Sequence, residues 1–364
     1  MTKPNFFGSR WERGKTSPFS GSFFLKREPT AGGTTGRKVK NILIIKTSSL
    51  GDLFHALPTV RALKVGLDAD IDWVVADTYA DLVRCFDDVD HVIPFPRREF
   101  WSRLGWFRGK LRTRDYDYII DLQGLLKSAV ICRLASGRKR IGPSFHREGS
   151  RLFYNVIAGD RDKERHAIDE CYDVVRYLGL PVPAVPEFPM TFPKIDLGAP
   201  HPRVALVPCS RWETKNWPPE KFVEVGRALA GLGANLFIIG SPEDKQVCRE
   251  IERGIGRNVE NLCAKTRLVD LGSVFQEVDL VITVDTGPMH FAAVLGRPVL
   301  AVFGATDPAR TGPVGENCTV VTHGRLVCQP CLSRECVRPK KDLACLHDLS
   351  AERIIAAAMK ILFG

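Results

Sequence analysis

Short apolar segments alternate with longer helical or loop segments along most of this chain, and this alternation constrains the fold more than any other feature. Residues 41–45, 71–76, 91–95 and 116–121 are predicted as strands in the first half. Residues 203–207, 235–239, 280–284 and 299–303 are predicted as strands in the second half. Strands that alternate with helices build mostly parallel sheets, so the sequence predicts an α/β protein.

A proline-rich passage separates the two series of strands. Seven prolines interrupt all periodicity there: Pro181, Pro183, Pro186, Pro189, Pro193, Pro200 and Pro202. At 364 residues the chain also exceeds the size at which a single core stops growing. We therefore predict two Rossmann-like domains facing across a cleft, residues 38–185 and 186–348. A flexible leader (1–37) precedes them, and a C-terminal helix (349–364) follows, with Ser350 as N-cap and a path back across the cleft.

The composition favours a cytosolic protein with an anionic partner. No segment approaches the roughly 20 apolar residues of a membrane span, and the N-terminus lacks an apolar signal core. The formal net charge is +10 and the isoelectric point is about 9.1. Such a charge suits a nucleotide, a phosphorylated glycolipid, a membrane surface or nucleic acid, and does not choose among them.

The turn after the strand 280–284 has the composition of a ligand site. It reads Asp285-Thr-Gly-Pro-Met-His290, at the carboxyl end of a strand where open α/β sheets hold their ligands. Gly287 lets backbone amides approach a diphosphate closely. His290 follows one turn into the helix as a ligand contact, and the alternative is a packing residue.

A second turn of this kind follows the first strand. Lys46-Thr-Ser-Ser-Leu-Gly-Asp52 lacks the Gly-Lys-Ser/Thr ending of a Walker A loop, which weakens a phosphotransfer hypothesis. Asp52 is either a helix cap or, if it faces the cleft, a general base for an attacking hydroxyl. Two such turns in separate halves predict a ligand held between two domains.

Further candidates follow two other strands of the second half. Ser210 and Lys215 lie after strand 203–207 and are candidates to bind phosphate. Lys215 would neutralise the charge of a departing nucleoside diphosphate without a metal. Glu243 follows strand 235–239, where a carboxylate commonly binds a ribose hydroxyl. The alternatives are a solvated surface lysine and a helix N-terminal acid.

Four of the eleven cysteines form a late cluster, Cys328, Cys331, Cys336 and Cys345. They are candidates for a structural zinc site of four thiolates, although the spacing fits no standard zinc ribbon. A disulfide pair and free thiols are the alternatives. Nothing in the sequence links this loop to the proposed chemistry.

Four motifs together give the chain from about residue 38 onward a family resemblance. They are Lys46-Thr-Ser-Ser-Leu-Gly-Asp52, Asp121-Leu-Gln-Gly-Leu-Leu-Lys-Ser128, Lys215-Asn-Trp-Pro218 and Asp285-Thr-Gly-Pro-Met-His290. In this order they resemble glycosyltransferase family 9, the bacterial ADP-heptose:lipopolysaccharide heptosyltransferases, and most of all the heptosyltransferase I group. The resemblance implies a GT-B fold and inverting transfer of heptose from ADP-L-glycero-D-manno-heptose to Kdo-lipid A, without an obligatory metal or cofactor.

The resemblance also assigns roles to residues. It implies Asp52 as catalytic base and a cytosolic enzyme in peripheral contact with the inner membrane. Donor contacts are implied at Ser210, Lys215, Glu243, Asp285, Thr286, Gly287 and His290. Acceptor contacts are implied at Ser49, Gly51, Arg97, Arg98, Gln123, Lys127 and Arg140. A solvated basic loop is the alternative for Arg97 and Arg98, and a second-heptose or other acceptor remains open.

Two hypotheses from other classes compete with this one. A nicotinamide-dependent oxidoreductase would also use Rossmann-like domains, but no Gly-x-Gly-x-x-Gly follows the first strand. A basic nucleic-acid-binding protein with a zinc module would explain the charge and the late cysteines. Its basic residues are dispersed rather than following one recognition helix, so it ranks lower.

Overall fold

The described part of the chain is an α/β structure built on two parallel sheets. The computed structural model describes residues 39–324 and 326–364, so the predicted leader (1–37) lies outside the described residues. These residues form two six-stranded sheets in which every strand pair is parallel. The alternation of strand and helix patterns in the sequence therefore predicts the fold class correctly.

The first sheet has the strand order β3-β2-β1-β4-β5-β6. Its strands are β1 (Lys40–Ile45), β2 (Ala69–Ala76), β3 (His91–Phe95), β4 (Tyr116–Asp121), β5 (Gly137–Pro143) and β6 (Val156–Ala158). Its helices are α1 (Leu50–Leu67), α2 (Ala80–Val83), α3 (Leu104–Leu111), α4 (Leu126–Leu134), α5 (Ala167–Cys171) and α6 (Asp173–Tyr177). The order reverses between β1 and β4, which is where doubly wound sheets hold ligands.

The second sheet repeats this plan with the order β12-β11-β10-β7-β8-β9. Its strands are β7 (Arg203–Val207), β8 (Asn235–Ile238), β9 (Val259–Asn261), β10 (Leu280–Val284), β11 (Val299–Phe303) and β12 (Cys318–Thr322). Its helices are α7 (Pro219–Gly231), α8 (Lys245–Ile255), α9 (Leu268–Glu277), α10 (Gly287–Val294), α11 (Pro308–Thr311), α12 (Ala344–His347) and α13 (Ala351–Phe363).

The two halves share a buried apolar core where α1 packs against α10. The rings of Phe54 on α1 and Phe291 on α10 are stacked with centroids 4.8 Å apart. Phe192, from the proline-rich passage, packs on Phe291 at 5.3 Å. This contact fixes the amino-terminal ends of α1 and α10 beside one another.

Other predicted boundaries have mixed outcomes. The change of sheet falls between β6 and β7, an interval that contains the predicted domain boundary at residues 185 and 186. That boundary itself stays a prediction. Ser350 occupies the N-cap position of α13, but its side chain makes no capping hydrogen bond. The contacts of α13 lie on α7, β10 and β11, and its predicted path back across the cleft stays a prediction. Within residues 39–324 and 326–364, no helix has the length and apolar character to cross a bilayer.

Candidate active site

The turn between β1 and α1 is held in place by the neighbouring turn after β4. The backbone N–H groups of Thr47 and Ser48 both donate to Oε1 of Gln123, each at 3.1 Å. Lys46 is buried, and its Nζ donates to the carbonyl oxygen of Leu122 at 2.6 Å. Gln123, which the family resemblance places among acceptor contacts, therefore positions the first turn from its side.

Asp52 acts as a helix cap in this structure. Its Oδ2 accepts hydrogen bonds from the backbone N–H of Ser49 at 2.7 Å and from the Ser49 hydroxyl at 2.9 Å. Burial acts to raise the pKa of Asp52, but the charge of Lys46, the Ser49 hydrogen bonds and His55 together hold it below its usual value. The carboxylate is thus ionised at neutral pH, and its capping bonds fix its orientation.

The corresponding turn of the second half contains a buried ion pair. Nζ of Lys215 lies 2.7 Å from Oδ2 of Asp285, and Asp285 is almost fully buried. The hydroxyl of Thr306, after β11, donates to the same oxygen at 2.5 Å. Lys215 is therefore a partly buried cation paired with Asp285, rather than the solvated surface lysine considered as its alternative.

The segment that carries Ser210 and Lys215 forms a closed loop after β7. The backbone N–H of Ser210 donates to Oδ1 of Asn216 at 2.6 Å, and Nδ2 of Asn216 donates back to the Ser210 carbonyl at 3.1 Å. The Lys215 ammonium lies 4.7 Å from the ring centre of Trp212. Glu243 is exposed after the carboxyl end of β8, where a hydrogen bond with the Ser241 side chain, aided by the charge of Arg211, lowers its pKa.

The two turns meet directly at the contact between α1 and α10. A methyl group built on Gly51 would lie 2.7 Å from Cδ2 of His290, and one on Gly287 would lie 2.9 Å from Cβ of Leu50. Both helices begin at this contact, with Ser49 and Thr286 as their N-cap residues. Helix N-termini carry partial positive charge and unpaired N–H groups, so their meeting point favours an anion.

Three histidines from separate elements line the same region. The ring of His55 on α1 lies 4.6 Å from that of His290 on α10 and 5.5 Å from that of His166. Burial lowers the pKa of His290 to about 4, even though Asp52 acts to raise it. His55 is buried with neither ring nitrogen hydrogen-bonded in the described residues, and its pKa is also far below the usual value. These imidazoles are therefore neutral at pH 7.

The predicted acceptor residues fall into two groups. Arg97 and Arg98 follow β3 and are exposed, and burial together with the nearby charge of Arg97 lowers the pKa of Lys127. The guanidinium of Arg140, by contrast, donates to the carbonyl oxygens of Cys132 and Ala135, each at 3.1 Å. It ties β5 to the end of α4, and its role with an acceptor stays a prediction.

The late cysteine loop is joined to the donor-side turns, which corrects the expectation that nothing couples it to them. The Thr214 hydroxyl donates to the carbonyl oxygen of Ser333 at 2.7 Å. The guanidinium of Arg334 lies 5.0 Å from the ring centre of Trp212, the same ring that Lys215 contacts. These contacts run from the loop to the Lys215–Asp285 pair.

The four cysteines of this loop are free thiols. Burial, together with the neighbouring thiols of the loop, raises the pKa of Cys345 to about 11. Among the described residues, no group of three or more His, Cys, Asp or Glu side chains is arranged to hold a metal ion. The structural zinc hypothesis for Cys328, Cys331, Cys336 and Cys345 therefore gains no support.

Comparison with known proteins identifies the family of this chain. The model of glycosyltransferase family 9 (heptosyltransferase) matches residues 105–342. The chain belongs to glycosyltransferase family 9. It is a glycosyltransferase with a GT-B fold, so the nicotinamide oxidoreductase and nucleic-acid-binding hypotheses are set aside.

Relatives in family 9 align over most of the chain. Lipopolysaccharide heptosyltransferase 1 of Pseudomonas aeruginosa is 29% identical over 86% of this chain and 92% of its own length. The protein of the same name from Escherichia coli K12 is 31% identical over 76% of this chain and 91% of its own. The solved E. coli heptosyltransferase WaaC with ADP is 27% identical and superposes with a TM-score of 0.73, covering 88% of this chain and 99% of that one.

Three residues of the candidate site have positions that the sequence does not predict. His55 lies inside an apolar helical pattern, and Thr306 and Asn216 are small polar residues in loops. Their positions follow from contacts across the fold, such as that between Thr306 and Asp285. The signal that the sequence offers is a position shortly after an apolar strand. Thr306, three residues after β11, has such a position.

Proposed function

We propose that the protein transfers heptose from ADP-L-glycero-D-manno-heptose to Kdo-lipid A, adding the first heptose of the lipopolysaccharide inner core. One observation carries the proposal: the α1–α10 contact brings the Asp52 turn and the Asp285–His290 turn together. The two relatives described above are both named lipopolysaccharide heptosyltransferase 1. In this proposal the first sheet and its helices (residues 38–185) bind the acceptor, and the second (residues 186–348) bind the donor.

The donor diphosphate would sit at the amino-terminal end of α10. The backbone N–H groups near Thr286 and Gly287 would donate to an anion there, and Lys215 would supply a full positive charge beside them. Asp285, whose carboxylate also accepts a hydrogen bond from Thr306, holds the Lys215 ammonium in place before the donor arrives. Ser210 would contact phosphate, Glu243 the ribose, and His290 the sugar. The α10 amides and Lys215 would thereby stabilise the negative charge that develops on the departing ADP, without a bound metal ion.

Asp52 would remove the proton during attack. The acceptor hydroxyl oxygen bonds to the anomeric carbon of heptose as the bond from that carbon to the ADP phosphate oxygen breaks. The proton moves to the Asp52 carboxylate, and ADP leaves from the opposite face, so the anomeric configuration inverts. Arg97, Arg98 and Lys127 would hold the acidic acceptor, because guanidinium and ammonium groups bind carboxylates and phosphates.

The decisive variant is Asp52→Asn, because an asparagine keeps the side-chain oxygen that accepts from the Ser49 N–H. It therefore preserves the cap while removing the base. We expect transfer, followed as ADP release with Kdo-lipid A, to fall by about 10²- to 10⁴-fold. Calorimetric titration should show ADP-heptose binding close to that of the native chain.

A matched control exists in the second half. Asp244 caps its helix through the same pair of bonds, accepting from the Ser241 N–H and hydroxyl at 2.7 Å each. Asp244→Asn should leave transfer within about twofold of native, a margin far below the general-base range. If Asp52→Asn transfers as well as Asp244→Asn, or loses donor binding together with transfer, Asp52 is a cap and not the base.

The acceptor is tested separately. Kdo-lipid A and the same acceptor already carrying one heptose should be compared with one donor preparation. Release of ADP with the first acceptor alone supports a first-heptose enzyme, and release with the second alone identifies a second-heptose enzyme. A protein acting on this acceptor would work at the cytosolic face of the inner membrane, held there peripherally.

A further inference from the structure

Residues 97–112 form an exposed basic and aromatic surface beside the first turn of the site. The segment reads Arg-Arg-Glu-Phe-Trp-Ser-Arg-Leu-Gly-Trp-Phe-Arg-Gly-Lys-Leu-Arg, with six basic residues and one acidic residue. Glu99 is already paired with Arg103 at 3.6 Å. The remaining charge is therefore positive and turned to solvent.

Two tryptophans of this surface are exposed to solvent. Trp101 is 83% exposed and Trp106 is 42% exposed. On α3 the buried residues Phe107 and Leu111 attach the helix to the first sheet, while Trp106, Arg108 and Lys110 face outward. The Arg103 guanidinium lies 4.7 Å from the Trp106 ring centre. The helix thus holds its aromatic and basic groups on the outer side by packing the inner side.

A chain of contacts connects this surface with the proposed acceptor residues. The Lys127 ammonium lies 4.5 Å from the ring centre of Phe95. Phe95 contacts Phe100 at 5.5 Å, and Phe100 contacts Trp101 at 5.2 Å. The exposed tryptophan is therefore three ring contacts from Lys127, which follows the turn that holds Thr47 and Ser48.

We propose that Trp101, Trp106, Arg103, Arg108 and Lys110 are a docking surface for an anionic lipid bilayer. Tryptophan is enriched at the membrane–water interface, where its ring is apolar and its N–H stays wet. Basic side chains near an anionic leaflet add attraction that falls with salt. An acidic protein partner would match the charge, but exposed tryptophans among arginines fit the level of lipid headgroups better. The proposal rests on the proposed function in one respect: the acceptor is anchored in a lipid surface, to which docking would bring the site.

The test is co-sedimentation with vesicles that contain no acceptor. The full chain is mixed with vesicles of phosphatidylcholine alone, or of phosphatidylcholine with about 30% phosphatidylglycerol. The second composition has roughly the content of anionic lipid found in an ordinary anionic leaflet. We expect binding to the anionic vesicles that weakens with salt. Trp101→Ala/Trp106→Ala should bind at least about tenfold more weakly, because two aromatic side chains lose buried area. Arg108→Gln/Lys110→Gln should also bind about tenfold more weakly.

Two control variants keep the same chemistry elsewhere. Phe363→Ala removes an aromatic that is 52% exposed at the end of α13, and Arg249→Gln/Arg253→Gln removes two exposed charges of α8. Both should bind like the native chain. Quenching of tryptophan fluorescence by brominated lipid should be strong in the native chain and largely lost in Trp101→Ala/Trp106→Ala. If the two surface variants bind within about twofold of the controls, or quenching is unchanged, the proposal is wrong.

Activity separates this proposal from the proposed function. With a deacylated, water-soluble Kdo acceptor, the surface variants should release ADP at the native rate, because none of the five residues belongs to the proposed site. Absence of ADP release in every variant including the native chain would refute the proposed function while leaving the vesicle result standing. Loss of release in the surface variants alone would mean that these residues bind acceptor, against the docking proposal.

Discussion

Replacing Gly51 by alanine should destabilise the protein and damage transfer, because of what lies next to Gly51. This residue is the second residue of α1 and is buried. A methyl group there would lie 2.7 Å from Cδ2 and 3.2 Å from Nε2 of His290, closer than a carbon atom normally approaches. His290 is itself buried and contacts the His55 ring at 4.6 Å, so it has little room to retreat.

Two opposing terms set the magnitude. Alanine is more stable than glycine within a helix by about 0.5–1 kcal/mol. Forcing an additional methyl group into a packed contact costs about 1–3 kcal/mol. The difference lies between about 0 and about 2.5 kcal/mol, so we expect the free energy of unfolding to fall by about 1 kcal/mol. Transfer should fall further than stability does, because the methyl group either displaces His290 or separates the two turns.

Gly109→Ala provides the control. Gly109 is also in a helix, α3, but a methyl group built on it meets nothing within 4 Å. At Gly109 only the higher helix propensity of alanine remains, so the free energy of unfolding should rise by about 0.5–1 kcal/mol. Urea unfolding measures both variants, and ADP release measures transfer. A Gly51→Ala protein as stable and active as Gly109→Ala would refute the direct contact of α1 with His290.

Two further predictions concern buried charge. Lys215→Met should reduce the free energy of unfolding by about 3 kcal/mol, because it leaves the Asp285 carboxylate buried without its cation. Adding Asp285→Asn should recover most of that loss in urea unfolding, and no recovery would contradict the pairing. For His290, burial lowers the pKa from the ordinary 6.5 to about 4, so its stabilising effect is complete above pH 6.5 and is lost as the pH falls towards 4. His290→Asn should therefore reduce the dependence of unfolding free energy on pH in that interval, and an unchanged dependence would contradict it.

Sequence patterns identify the strands that are dominated by apolar residues. All eight predicted strands are present, and runs such as residues 280–284 are buried along their whole length. Two longer strands escape prediction: β5 contains Arg138, Lys139 and Arg140, which give it the composition of a basic loop, and in β12 only Val321 is buried. The short strands β6 and β9 have three residues each, too few for a periodic signal. They are strands because they pair with longer neighbouring strands, and the local sequence carries no information about that pairing.

The same distinction holds in the site. Asp52, Lys215 and Asp285 could be singled out because each lies in the segment that follows a strand, on the side of the sheet where ligands bind. His55 could not, since its two unpaired nitrogens are visible only when α10 and His166 are placed around it. The coupling of the cysteine loop depends on the Thr214–Ser333 hydrogen bond, which joins residues 119 positions apart. No local pattern encodes such a pairing.

The hydrogen bonds that Asp52 makes as a helix cap affect how strong a base it can be in the proposed reaction. The Ser49 hydrogen bonds and Lys46 lower the pKa of the carboxylate, which keeps it ionised but makes it a weaker base. A weak base removes a proton effectively only when the acceptor oxygen has already begun to bond and has become acidic. The bond to ADP must therefore be breaking early, which places the greater demand on the groups that stabilise the leaving phosphate. Those groups are Lys215, which is paired with Asp285, and the amino-terminal end of α10, which the structure brings directly against the helix that carries Asp52.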